Sequence, residues 1–180
     1  MTNIDDSVRP LSEGHCFGGG YDRVIGIASS IFTKKPPGTG WVDACAAMGG
    51  TREIHQGSWD DKTILSISEP NGFSFFLPAE SRLLDDFFAT RALAHHLLHS
   101  NRGYRSFFVN DRSIVTLESI WFSLALLAPD RLFLTLSEAA AATDENIAAA
   151  IGTPKGIIAL KRKILAAVAR ERDSNVVSIV

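Results

Sequence analysis

The sequence predicts an α+β chain with a helical C-terminal half, and three observations predict it. The middle of the chain reads strand–turn–strand, "KTILSISEPNGFSFFLP". An apolar, helix-favouring run with histidines follows, "ATRALAHHLLHS" from Ala89 to Ser100. From Ser137 onward the chain is alanine-rich and helix-like, with breaks only at glycine and proline.

Taken in order, residues 1–23 read as a flexible arm, because "GGG" (Gly18 to Gly20) and scattered polar residues oppose a regular element. "YDRVIGIASSIF" is ambiguous between a strand and a short helix. "TKKPPGTG" is a loop, since Pro36 and Pro37 fix the backbone and remove donors. "WVDACAAMGG" reads as a short helix stopped by Gly49 and Gly50. In "KTILSIS", Ile64, Ser66 and Ser68 alternate with Thr63, Leu65 and Ile67, "EPNG" is a turn, and "FSFFL" is aromatic and strand-like: a β-hairpin. The next helix is expected to start between Ala79 and Leu83 and to end near Ser100, before "NRG". Another covers about Ser113 to Ala128 and breaks at Pro129. "SEAAAATDENIAAAI" and "IIALKRKILAAVARER" are helical on either side of "GTPKG", and "DSNVVSIV" is expected to fray.

The chain has 180 residues, enough for one domain with a core that needs no staples. Hydrophobic residues at 46 % and charged residues at 21 % place it among ordinary globular chains. A net charge of −2 argues against broad nucleic-acid binding. The two cysteines, Cys16 and Cys45, form no CxxC pair and point to a reduced setting. "MTNIDDSVRP" has neither the basic start nor the apolar run of a signal peptide, and the longest apolar run, Ile120 to Ala128, is too short to span a bilayer. The expectation is a cytoplasmic protein with no membrane partner.

The chemistry-bearing stretch is the histidine run. On a helix, residues four apart share a face, so His95 and His99 project together and can chelate one divalent ion, and neutral imidazole is a good zinc ligand. His96 sits about 100° around from His95 and borders the same surface. The zinc-hydrolase helix has the order H-E-x-x-H, in which the glutamate is general base. Here the order is H-H-x-x-H, with His96 in the glutamate place. A third ligand must come from elsewhere, and Glu118 is the best placed, as the only acidic residue in "SIVTLESIWFSLALLAP". A carboxylate in that setting needs a partner, for which Arg91 or Arg112 would serve as well as a metal. The bland alternative is a helix margin whose histidines are hydrogen-bonded to backbone or water.

Beyond the three histidines, "RALAHHLLHS" resembles the metal helix of the ImmA/IrrE family of bacterial and phage zinc metallopeptidases, whose pattern is approximately R-F-x-x-A-H-E-L-G-H-x-L-L-H. "ESIWFSLALLAP" resembles that family's E-A-N-x-F-A-x-x-L-L-M-P helix, with Glu118, Phe122, Leu126, Leu127 and Pro129 in register, and "GFSFFLP" resembles the strand before the metal helix. The likeness runs from about Ile64 to Phe133. It implies a zincin-like fold, a small β-sheet packed on a metal-site helix, within a metallopeptidase-like domain over residues 24–136, with helices 137–180 packed on it. It implies zinc as cofactor, His95 and His99 as ligands, Glu118 at an acidic position of the following helix (Thr116 at another), and peptides or regulatory proteins as substrates or partners.

The departures lie at the chemistry. His96 replaces the base, Leu98 the glycine beside the second ligand, Ile120 the usual Asn or Asp, and Ala128 the usual Met. Losing the base removes a contribution of roughly 10²- to 10⁴-fold. Histidine itself can act as a base near neutral pH. The expectation is a divergent metallopeptidase-like protein, weakly active or inactive, with His96 as the remaining catalytic candidate and a regulatory role.

An alternative function sits in the last third. Ala148, Gly152 and Ile158 are spaced as the small, turn and core positions of a helix-turn-helix, and Lys155, Lys161, Arg162 and Lys163 are able to reach phosphates: DNA binding through Ile147 to Leu165. Against it stands a plain helical hairpin whose apolar face (Ile157, Ile158, Leu160, Ile164, Leu165, Val168) packs on the domain while its lysines are solvated. That hairpin is favoured. Other groups carry less. His15 and Cys16 with Cys45 or His55 lack metal-site spacing, and Ser30, Ser58 and Ser66 lack a nucleophile context. Asp60–Asp61 and Asp85–Asp86 read as loop or helix-start charges, and Trp41, Trp59 and Trp121 as packing anchors.

Overall fold

The computed structural model describes residues 18–60, 62–80, 82–99, 104–107, 114–139 and 142–177. Among them the fold is α+β and mostly helical. Its elements in chain order are α1 (Gly18–Phe32), α2 (Trp41–Ala47), β1 (Gly50–His55), β2 (Ile64–Glu69), β3 (Gly72–Pro78), α3 (Asp85–His99), β4 (Tyr104–Phe107), α4 (Ile114–Leu127), α5 (Asp130–Ser137), α6 (Asp144–Ile151) and α7 (Lys155–Val177).

The expected hairpin is β2–β3, paired antiparallel with Glu69 opposite Gly72. Glycine is demanded at position 72 by the close approach of the chain entering β1: a Cβ on Gly72 would lie 2.6 Å from the Gly49 carbonyl oxygen. Two further strands complete a mixed sheet in the order β1-β3-β2-β4. β1 runs parallel to β3, and β4 antiparallel to β2. Neither edge strand has the alternation that marks the hairpin. β1 (GTREIH) is exposed or half-buried along its whole length, so nothing obliges its sequence to alternate. On β3, Phe73, Phe75 and Leu77 are buried in strict alternation. That face receives α3, and α4 then lies across α3. Along α3 every residue from Phe87 to His95 is buried, and along α4 every residue from Leu117 to Leu127.

Helix α1 begins at Gly18, inside the stretch whose composition marks it as irregular. Tyr21, Val24, Ala28 and Ile31 fall on one face and are 4, 0, 0 and 8 % exposed. That face packs on α4, so burial outweighs the unfavourable propensity of the three glycines. The same face settles the strand-or-helix ambiguity of "YDRVIGIASSIF".

The C-terminal part differs from expectation in two places. Pro129 ends α4 and also caps α5, an eight-residue helix over Asp130–Ser137 where none was expected. The alanine-rich run is not helical from Ser137. Thr143 Oγ accepts the Asn146 N–H at 3.2 Å and starts α6 only at Asp144, where the cap and the two acids behind it set the helix start even though the alanines before it favour a helix. Gly152, left-handed at φ 78°, turns the chain into α7, which runs through Asp173 to Val177 in the tail expected to fray; residues 178–180 of that tail lie outside the described residues. The expected apolar face of α7 is buried, with Ile157, Ile158, Leu160, Ile164 and Val168 all at 3 % exposure or less. A second, smaller core gathers Ala128, Phe133, Ile147, Ala148 and Ile158. No single helix among the described residues is long and apolar enough to cross a membrane.

One buried polar knot ties α1, α5 and α7 together. Lys161 Nζ donates to Asp130 Oδ1, and Tyr21 Oη donates to Asp130 Oδ2 at 3.1 Å. Lys161 has no exposure at all. Burial lowers its pKa, and Asp130 works against that fall. The pair is therefore asymmetric. Asp130→Ala, which leaves a buried amine unpaired, is expected to cost about 3–5 kcal/mol in urea unfolding. Lys161→Met leaves a part-exposed carboxylate still held by Tyr21 and is expected to cost under about 1.5 kcal/mol. Equal costs would mean that the pair does not organise this corner.

Candidate functional site

The face between α3 and α4 carries the polar side chains that the sequence singles out. His95 and His99, one turn apart on α3, have ring centroids 5.6 Å apart. Glu118 reaches His99 from α4: its Oε2 is 2.7 Å from His99 Nε2. Its other oxygen, Oε1, accepts a 2.5 Å bond from Arg23 Nη2 of α1. Gly20, one turn before Arg23, packs against Trp121 and Glu118 with room for a Cβ at ordinary contact distance, 3.6 Å from Trp121 and 3.9 Å from Glu118 Oε1.

The site is dry at one end and wet at the other. His95 is 1 % exposed, whereas about half of the Arg23 side chain reaches solvent. Burial holds the His95 pKa well below the usual imidazole value, and the nearby Arg91 and His99 lower it further, so at neutral pH His95 is an uncharged imidazole. Burial alone would raise the Glu118 carboxyl. The hydrogen bonds from His99 and Arg23 outweigh that and hold it below its ordinary value, so it is ionised.

His96 is not part of this arrangement. Its Nδ1 lies 2.8 Å from Ser68 Oγ on β2, and its ring stacks on Phe73 of β3 with centroids 5.1 Å apart. It faces the sheet, because one step along a helix turns the side chain by about 100° and α3 lies between the sheet and α4. Its pKa is lowered by burial.

Two imidazoles and a carboxylate are a zinc donor set. As folded they are bonded partly to one another, and the carboxylate's second oxygen is taken by a guanidinium. Among the described residues no group of three or more His, Cys, Asp or Glu side chains is placed to hold a metal ion. Holding one requires the His99–Glu118 contact to open.

The partner of Glu118 is the residue that sequence reasoning missed. Arg91 and Arg112 were the candidates. Arg112 lies outside the described residues, and Arg91 is buried with its guanidinium 5.9 Å over the Phe87 ring and Nε 3.4 Å from Ser119 Oγ. Arg23 stands 95 positions before Glu118, and no local pattern could have paired them. Thr116, the other acidic-position candidate, offers its carbonyl to Ser119 Oγ at 2.7 Å.

The remaining candidates have structural places. Cys45 is fully buried, its thiol pushed up to about 12, first by burial and then by Asp86. His55 meets Trp59 edge-on at 5.6 Å, and His15 and Cys16 lie outside the described residues. Ser66 and Ser106 bond each other across β2 and β4 at 2.6 Å, and Ser30 bonds the Ile27 carbonyl within its own helix. Ser58 is exposed. Asp60 closes a turn onto Lys62 and Thr63, while Asp61 lies outside the described residues. Asp85 and Asp86 open α3, and Asp86 also accepts the Val42 N–H at 3.0 Å. Trp121 is fully buried against Tyr21, and Trp59 stacks on Phe88. In the C-terminal helices Lys155 is paired with Glu145, Lys161 with Asp130 and Arg162 with Asp144.

Comparison with known proteins gives no counterpart: no family model, no curated protein and no solved structure matches this chain.

The gradient of burial along the network orders its expected energetics. Glu118→Ala strips the buried end of its acceptor and is expected to cost about 1–3 kcal/mol. Arg23→Ala, at the solvated end, is expected to cost under about 1 kcal/mol. Urea unfolding of both variants checks the order, and a larger loss in the Arg23 variant would reverse the assignment of the buried end.

Proposed function

We propose that this chain is a divergent, catalytically disabled metallopeptidase-like protein with a zincin-like fold, acting as a regulatory binding protein rather than as a hydrolase. One observation carries the reading. His95 and His99 share a face of α3, and Glu118 of the following helix meets His99 at 2.7 Å. This is the residue set, on the two elements, that the resemblance to the ImmA/IrrE family implies. The helix order and the strand leading into α3 support it too.

The loss of hydrolysis follows from the chain's own residues. In H-E-x-x-H sites the second residue is the base that takes a proton from water. Here His96 has its ring against Phe73 and its Nδ1 on Ser68, away from the Glu118 carboxylate. Arg23 neutralises that carboxylate from the solvent side, the charge role that a divalent ion plays in an active relative. When bound, zinc would polarise water and a peptide carbonyl. His95, His99 and Glu118 are the residues that would hold it, in competition with Arg23.

The DNA-binding alternative has less support. Of its four cations, Lys155, Lys161 and Arg162 are engaged by carboxylates of α5 and α6. Lys161 is wholly buried and unable to reach a phosphate.

The test is zinc titration of the full chain, with peptide cleavage assayed in the presence and absence of chelator. Arg23→Ala is expected to tighten zinc uptake by up to about fivefold, the worth of one solvated ion pair, and His99→Ala to abolish it. No chelator-sensitive cleavage is expected from the native chain. Efficient chelator-sensitive cleavage would sink the disabled-enzyme reading. Failure of both the native chain and the Arg23 variant to take up zinc would sink the descent from a metal site.

A further inference from the structure

A cleft of about 460 Å³ opens where the C-terminal ends of α1 and α4, the N-terminal ends of α2 and α3, and the α6–α7 turn converge. Its size falls within the roughly 300–1,000 Å³ of small-molecule sites. Trp41 forms part of its wall, with Phe87, Leu126 and Ile157 beside it. Around the mouth stand Phe32, Leu83 and Leu132, which are 44, 70 and 43 % exposed. Large apolar side chains left in water at one opening mark a binding surface more than chance exposure does.

The polar groups here are few and of one dominant sign. Lys35 and Arg82 line the cleft, with Asp86 as its only acid. Asp86 Oδ1 already accepts the Val42 N–H at 3.0 Å. Lys35 Nζ stands 5.6 Å over the Trp41 ring, so a cation and an aromatic face are presented together. Neither Lys35 nor Arg82 forms an ion pair with a carboxylate among the described residues, unlike Lys155, Lys161 and Arg162 of the C-terminal helices. Thr153 Oγ, also on the lining, is buried with no hydrogen-bond partner among the described residues. A cleft whose wall is part apolar and part polar, with two cations against one acid and a spare hydroxyl, is complementary to one kind of molecule. The surplus of one cation selects a monoanion, and the apolar wall selects a hydrocarbon or aromatic body.

We propose that this cleft binds a small amphipathic monoanion, a carboxylate with an apolar body, whose charged end meets Lys35 and Arg82 and whose body lies against Trp41. The site is separate from the His95–His99–Glu118 network and does not depend on the metallopeptidase-like reading. It gives the protein a means of sensing a metabolite of this class.

The test uses the full chain and two probes of equal length, octanoate and 1-octanol, followed by calorimetry and tryptophan fluorescence. Octanoate is expected to bind saturably, one per chain, and about tenfold more tightly than 1-octanol, the worth of one charge-assisted contact. In the double variant Lys35→Met, Arg82→Met, whose substitutions lie at the cleft rim, that preference is expected to vanish while octanol binding stays unchanged. Leu132→Asp, at the apolar mouth, is expected to weaken both probes. Absence of saturable octanoate binding, equal binding of the two probes, or a charge preference that survives in the double variant would each overturn the proposal.

Discussion

Helix α3 is buried from two directions at once, and that constraint organises the molecule. The sheet lies on one side of it and α4 on the other. Nine consecutive residues, Phe87 to His95, are shut off from water. A helix so enclosed is expected to be apolar all round, yet α3 carries Thr90, Arg91, His95, His96 and His99. Each of these is in a place where an unsatisfied polar group would be costly. Thr90 bonds back to Asp86 and Phe87 carbonyls, His96 takes Ser68 from the sheet, and His99 takes Glu118 from α4. Strand β2 and helix α4 are thus held to α3 by polar contacts as well as by packing.

The same enclosure splits adjacent histidines into different roles. His95 and His99 face α4, where a carboxylate waits, while His96 faces the sheet, where only a serine and an aromatic ring are within reach. A residue that stands in the base position of a zinc-hydrolase motif therefore stands, in this fold, away from the carboxylate. Arg23 completes the exchange by giving Glu118 a permanent cation.

The C-terminal helices follow a parallel logic on a smaller scale. Lys161 lies in the middle of the apolar face of α7, and its charge is tolerable there only because Asp130 opens α5 directly against it. Tyr21 adds α1 to the same carboxylate. One acid at a helix start thereby locks three helices and removes from solvent a cation that a DNA-binding surface would have needed.

The sequence by itself determined the elements whose patterns are local. The β2–β3 hairpin follows from alternation and a turn, α2 from its glycine stop, α4 from an unbroken apolar run, and the buried face of α7 from helical spacing. It also placed His95 and His99 as candidates by their spacing on one helix, and Glu118 as the only acid of the apolar stretch that follows. Only tertiary structure decided the rest. Strands β1 and β4 exist because a neighbour offers hydrogen bonds, and α1 because α4 accepts its face despite three glycines. Helix α5 starts at the residue that ends α4. The direction of His96, the partnership of Arg23 with Glu118, and the burial of Lys161 all join positions far apart in the chain. Such pairings are set by which surfaces exclude water together, and no window of neighbouring residues contains that information.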